Sequence, residues 1–141
     1  MEQNLKNHIR LVPGYHFVLL ILLLAGLTGS LVNLYHSISS ETLYSASLIV
    51  LLFVCAFMTA TFARSFALKA QDRAIRAEEN LRFFILTGKV LPPLKISQIV
   101  ALRFASDAEL AALTEKTVKE GLSNKQIKRL VVNWRADFHR V

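Results

Sequence analysis

The chain has 141 residues, 53% of them apolar, and a formal net charge of +7. That length allows about one domain. A single cysteine, Cys55, excludes an intrachain disulfide framework, and two long uncharged apolar runs exclude an ordinary soluble fold in which each helix keeps one charged face.

Residues 1–14 read as a short amphipathic lead. Leu5, Ile9 and Val12 share one helical face, with Lys6, His8 and Arg10 interleaved. Such a segment lies in the headgroup layer of a membrane, which makes Lys6 and Arg10 candidate headgroup contacts. Pro13-Gly14 then marks a turn.

The apolar runs cover residues 15–35 and 42–63. Each is about 21 residues, and roughly 20 carry a helix across a bilayer core. We therefore expect transmembrane helices over 15–35 and 43–63, joined by a connector over 36–42 that is short enough to demand an antiparallel hairpin. A signal peptide is the alternative for the first run, because Lys6 and Arg10 precede it and Gly26, Thr28, Gly29 and Ser30 are small. Apolar residues continue through Leu31, Val32 and Leu34 without an A-x-A site, which argues against cleavage. Tyr15 falls at the inner boundary, with Tyr35 and Tyr44 at the outer one, as interfacial aromatics do. Cys55 falls mid-span and reads as a small apolar residue.

Charge sets the orientation. Fifteen of the seventeen Lys and Arg lie from Arg64 onward, against eight acids there, while the connector holds Glu41 and no cation. Basic flanks stay on the cytoplasmic side, so both termini are expected there. The spans contain no Asp, Glu, Lys or Arg, which argues against a stand-alone transporter or pump. Their polar residues, Thr28, Asn33, Thr59 and Thr61, are of the kind that bonds across helices.

Small residues in the spans point to close helix packing. Span one carries Ala25-x-x-x-Gly29 and Gly26-x-x-x-Ser30. In span two a stripe begins that leaves the membrane: Ala56, Ala60, Ala63, Ala67, Ala70, Ala74 and Ala77 alternate at four-three spacing, and Leu81 and Phe84 continue the register. No Gly or Pro interrupts it. The pattern predicts one helix over 43–87, about 67 Å long, ending at Gly88, with residues 64–87 as a cytoplasmic extension carrying a packing seam. Asp72 with Arg76 and Glu78 with Arg82 are expected i,i+4 pairs on its outer face.

Residues 88–141 form the tail. Pro92-Pro93 makes a stiff connector. A first helix, about 95–105, puts Ile96, Ile99, Val100 and Phe104 on one face. A second starts at Ser106, with Glu109 completing a capping box, buries Leu110, Leu113 and Val118, and ends near Gly121. A third starts at Ser123 with Gln126 as capping partner. Its stripe is Ile127, Leu130, Val131, Trp134 and Phe138. About 50 residues hold too little core to stand alone, so the tail should pack on the projecting helix or on a partner.

Gln3-Asn4-x-Lys6-Asn7-His8-x-Arg10 followed by Pro13-x-x-His16-Phe17 resembles the opening of a small uncharacterised bacterial membrane-protein family of the Bacteroidota type. Leu102-Arg103-Phe104-Ala105-Ser106-Asp107 and Asn133-Trp134-Arg135-Ala136-Asp137-x-His139-Arg140 resemble its tail motifs. The likeness covers nearly the whole chain. It implies a two-span bacterial inner-membrane protein and supplies no activity.

Candidate chemistry is sparse. His8, His16 and His139 could converge at the inner membrane face, whereas His36 lies on the other side, and no metal-ligand spacing accompanies them. No cofactor, metal or catalytic residue is expected. Arg103, Asp107, Trp134, Arg135, Asp137 and His139 form a candidate partner surface, since Trp and Arg favour interfaces. Arg64, Lys69, Arg73 and Arg76 are candidate contacts to lipid headgroups. Lys125, Lys128, Arg129 and Arg135 suit phosphates, but no aromatic platform accompanies them and nucleic acid is disfavoured.

The expectation is thus an all-α membrane protein: a two-helix transmembrane hairpin whose second helix extends into a small helical cytoplasmic domain. It would sit in the lipid bilayer as a non-enzymatic accessory or scaffold subunit of a larger membrane complex, or as a homo-oligomer, assembled through the alanine-rich helix seam. The alternatives are a cofactor- or metal-binding protein or enzyme at the inner membrane face, and a lipid or nucleic-acid sensor working through the basic face.

Overall fold

The computed structural model describes Asn4, Leu5 and residues 11–137. Helices account for all its regular elements, and no strand forms among the described residues. Two units separate, one formed by Leu11–Ala67 and one built from Leu68 onward.

In the first unit, Pro13 caps a π-helical turn, Gly14–Leu19, that runs directly into α1, Leu20–Ser37. Proline suits that place, because the N–H it lacks would have no partner in a first turn. A hydroxyl-rich turn follows. Thr42 Oγ1 donates to Ser37 Oγ at 3.2 Å and Leu43 N–H donates to Ser40 O at 3.2 Å, which satisfies groups that the short connector would otherwise leave open. The long helix α2 then covers Leu43–Thr87.

Gly26 faces α2 so closely that a Cβ there would strike the ring of Phe53. Ser30, one turn on, is buried and returns its hydroxyl to Leu27 O at 2.8 Å. Ala25 and Gly29 are exposed, so only one of the two small-residue motifs is used in the hairpin. Thr28, Thr59 and Thr61 bond carbonyls of their own helices at 2.8 Å rather than reaching across, because the preceding turn offers the nearest acceptor.

Both ends of α2 fall where the sequence puts them. Gly88 adopts φ +69° and its N–H closes on Phe84 O at 2.8 Å, a left-handed stop that favours glycine. After an irregular stretch over 88–95 come α3, Ile96–Leu102, α4, Asp107–Glu120, and α5, Asn124–Leu130. Ile75 and Phe83 of α2 join Leu91, Ile99, Leu102, Leu110, Leu113, Leu122 and Ile127 in one core. Gln98 ties the ends together: its Oε1 accepts from Lys95 N–H and its Nε2 donates to Leu122 O, both at 2.9 Å. Ser123 and Gln126 form the expected capping box, and Gly121 ends α4 at φ +63°.

Four tail expectations are corrected. The first tail helix stops at Leu102 because Phe104 and Ala105 enter tight turns onto Ala101 O and Leu102 O. Val118 is exposed; Thr117 takes the core position, its hydroxyl satisfied by Leu113 O at 2.7 Å. Glu109 does not cap α4 but turns to residues 132 and 133. α5 ends at Leu130, and Val131 leaves it at ψ +119°. Trp134 therefore sits in an extended segment, bridged to Ala105, and not on a helical stripe with Val131. Phe138 lies outside the described residues.

Candidate functional site

Within the second unit, α2 presents three faces. The first carries Ile75, Glu79, Arg82 and Phe83 against the tail. A helix advances about 100° per residue, which puts these four on one side. The carboxylate of Glu79 is buried, and such a charge needs close partners. Arg82 supplies one at 3.0 Å and Arg135 a second at 3.5 Å. The Arg82 guanidinium also reaches Asp107 at 2.6 Å and Ala105 O at 2.7 Å. The expected Glu78–Arg82 pair is thus replaced, because Arg82 points into the tail rather than along the outer face. Asp72 and Arg76 form no ion pair among the described residues.

This network holds residues 131–137 as a strap across the tail. Arg103 is buried and pairs with Asp137 at 2.9 Å. Trp134 stacks on Phe104, centroids 4.6 Å apart, and Arg103 covers that ring at 4.7 Å. Arg135 N–H donates to Phe104 O at 2.8 Å. Farther along, Glu109 accepts from Val132 N–H at 3.1 Å and from Asn133 N–H and Nδ2 at 2.7 Å each. Burial by itself raises the Glu109 pKa, but the hydrogen bonds from Asn133 and Val132 outweigh it and hold the carboxyl below its ordinary 4.5. Between α2 and the strap lies a cleft of about 530 Å³ lined by Gln71, Glu78, Glu79, Arg103, Arg135 and Asp137.

The second face is basic. Lys69, Arg73, Arg76 and Asn80, with Asp72, Ala77 and the α3 residue Ile96, line an open groove of about 600 Å³. The third face is the alanine seam. Ala70, Ala74, Ala77, Leu81 and Phe84 are all exposed; Ala70, Ala77, Leu81 and Phe84 lie on the side away from Ile75 and Glu79, while Ala74, about 100° from Ile75, lines the strap cleft beside them. The tail therefore buries none of these five, although Ala74 borders the strap cleft and Ala77 the groove that Ile96 helps to line. In the first unit Ala56, Ala60 and Ala67 are half-buried and Ala63 is exposed. Ala60 lines a small cavity of about 150 Å³ with Tyr15, His16, Leu23 and Phe57, and its carbonyl accepts the Tyr15 hydroxyl.

Of the partner-surface residues, Arg103, Trp134, Arg135 and Asp137 come together, and Asp107 joins through Arg82. Arg103, Trp134 and Asp137 are engaged within the tail, while Asp107 and Arg135 pair with Arg82 and Glu79 of α2 and stay more than half exposed. His139 lies outside the described residues, as do His8, Lys6 and Arg10, so the three-histidine convergence falls there too. His16 Nδ1 accepts Val12 N–H at 3.0 Å. Among the described residues, no three of His, Cys, Asp and Glu are grouped to hold a metal ion. Glu79 and Arg82 were missed as organising residues. The available signal was the shared face of Ile75, Glu79, Arg82 and Phe83.

The sequence profile of DUF6526, described as a family of unknown function, matches residues 1–141, the whole chain. The chain belongs to DUF6526. The match takes in both the opening motif and the tail motifs, and the function of DUF6526 is unknown. No curated protein and no solved structure matches the chain.

Proposed function

We propose that this chain is a non-enzymatic protein of the bacterial inner membrane. In this reading residues 14–63 cross the bilayer as an antiparallel hairpin with both termini cytoplasmic, and the alanine face of α2 assembles it with a second copy or within a larger membrane complex. The observation that carries the membrane part is the outward surface of the two long helices. Each contains a window of mean hydropathy 2.3, and only 6% of either window is buried. A helix from a soluble core would hide those residues, yet Ile21, Leu22 and Leu52 are more than three-fifths exposed. Apolar surface on that scale is unusual for a soluble monomer, and lipid would cover it, which supports the membrane reading. The assembly part is supported by the seam. From Ala70 onward it is exposed, mostly on the side away from the tail, and small residues permit close approach of another helix.

The test is an intact native mass after extraction from the native membrane in mild detergent. Two or more copies, or a mixed assembly, supports the reading. A bare monomer overturns the assembly role. The membrane role is tested through Cys55, whose side chain is exposed on α2. It should resist a water-soluble maleimide in intact membranes and react after detergent is added. Rapid labelling in intact membranes overturns it.

A further inference from the structure

The basic groove of α2 has features that the reading above does not use. Lys69, Arg73 and Arg76 point into one concavity, against a single carboxylate, Asp72. Arg73 and Arg76 stand three residues apart on the same helix, where like charges repel, and neither is paired with an acid among the described residues. Ala77 and Ile96 also line the groove, and Asn80 supplies a neutral donor beside the cations. Apolar walls around like charges strengthen the local field and attract a counter-ion. From Lys69 to Arg76 the helix rises about 10 Å, longer than one phosphate group spans. Guanidinium groups match phosphate oxygens in a two-pronged geometry.

We propose that this groove binds a phosphorylated anion carrying at least two negative charges, with Arg73 and Arg76 as its main ligands. The source is either a soluble phosphorylated compound or a phosphorylated lipid headgroup. The site does not require the seam to assemble anything. The soluble form does not require a bilayer, while the lipid form rests on the membrane reading.

Full-length protein in phosphatidylcholine nanodiscs is titrated with pyrophosphate by calorimetry. In parallel, nanodiscs with graded phosphatidic acid are analysed for lipid retained on the protein by native mass spectrometry. Failure to enter nanodiscs would count against the membrane reading alone, and the pyrophosphate arm would then be run on the protein in solution. The double variant Arg73→Gln/Arg76→Gln keeps good helix formers at both positions. It should weaken binding by at least about tenfold. The pair Lys116→Gln/Lys119→Gln removes the same charge from exposed positions of α4 and should change it by less than about twofold. One-to-one pyrophosphate binding lost in the groove variant supports a free phosphorylated ligand. Phosphatidic acid retention lost in that variant, without pyrophosphate binding, supports a headgroup. Absence of one-to-one binding in both arms, or equal weakening by the two variant pairs, overturns the site.

Discussion

Glu109 holds Asn133 twice, through the backbone N–H and through the side-chain amide, both at 2.7 Å. One carboxylate from the first turn of α4 thereby anchors a segment 24 residues away in sequence, just before the Trp134 stack on Phe104. Glu109→Gln should loosen the strap at a cost of about 1 kcal/mol, the lower range for charge-assisted bonds because the group is partly exposed. The chain has one tryptophan, so its fluorescence reads the strap directly. Because folding lowers the Glu109 pKa, its stabilisation is present above about 4.5 and fades as pH falls through the folded value. The acid-induced change in Trp134 emission should be reduced in the variant. An identical acid profile would rule out this carboxylate as its source.

Arg82 joins Glu79, Asp107 and Ala105 O. Arg82→Met leaves the buried Glu79 with Arg135 alone, at 3.5 Å. A loss of about 3 kcal/mol is expected for an uncompensated buried charge. Adding Glu79→Gln should recover part of it. Thermal midpoints of the two single variants and the double variant test this, and strictly additive losses would mean the two side chains are not coupled.

Gly26 and Gly29 should respond with opposite signs. Gly26→Ala drives a methyl into Phe53 and should cost about 1–3 kcal/mol. Gly29 has open space around it, so Gly29→Ala should gain about 0.5–1 kcal/mol from helix propensity. Unfolding in detergent gives both values. Equal effects would contradict the described hairpin.

Ala70→Leu or Ala74→Leu should disrupt assembly by overpacking the proposed seam while leaving tail stability within about 0.5 kcal/mol, since both positions are exposed. Size by light scattering and the thermal midpoint, measured on the same sample, separate the two effects. Unchanged particle size in both variants, with unchanged partner recovery, would sink the seam's role.

Where sequence and structure agree, the deciding residues act locally. Gly88 and Gly121 stop helices through their own backbone angles, and Ser123 and Gln126 cap α5 within one turn. The strap was illegible for the opposite reason. Val131 and Trp134 continue a helical spacing, and only distant partners at Phe104, Ala105 and Glu109 take their stretch of chain out of the helix. The tail-facing side of α2 was hidden by composition. It offers two large apolar residues, Ile75 and Phe83, beside Glu79 and Arg82, whereas the alanine side is uniformly apolar and draws the eye. Buried charge made the difference, and hydrophobic periodicity does not record it.

The opposition of the alanine face to the Ile75–Phe83 face has a thermodynamic consequence. A helix that held its own domain and its partner on one surface would have to release one to gain the other, and every association would carry an unfolding cost. Here the two surfaces share a backbone and meet only at an edge, where Ala74 lines the strap cleft beside Ile75 and Glu79. Free energies measured at one should add to those at the other, and a fully docked tail would be compatible with both the solitary and the associated chain.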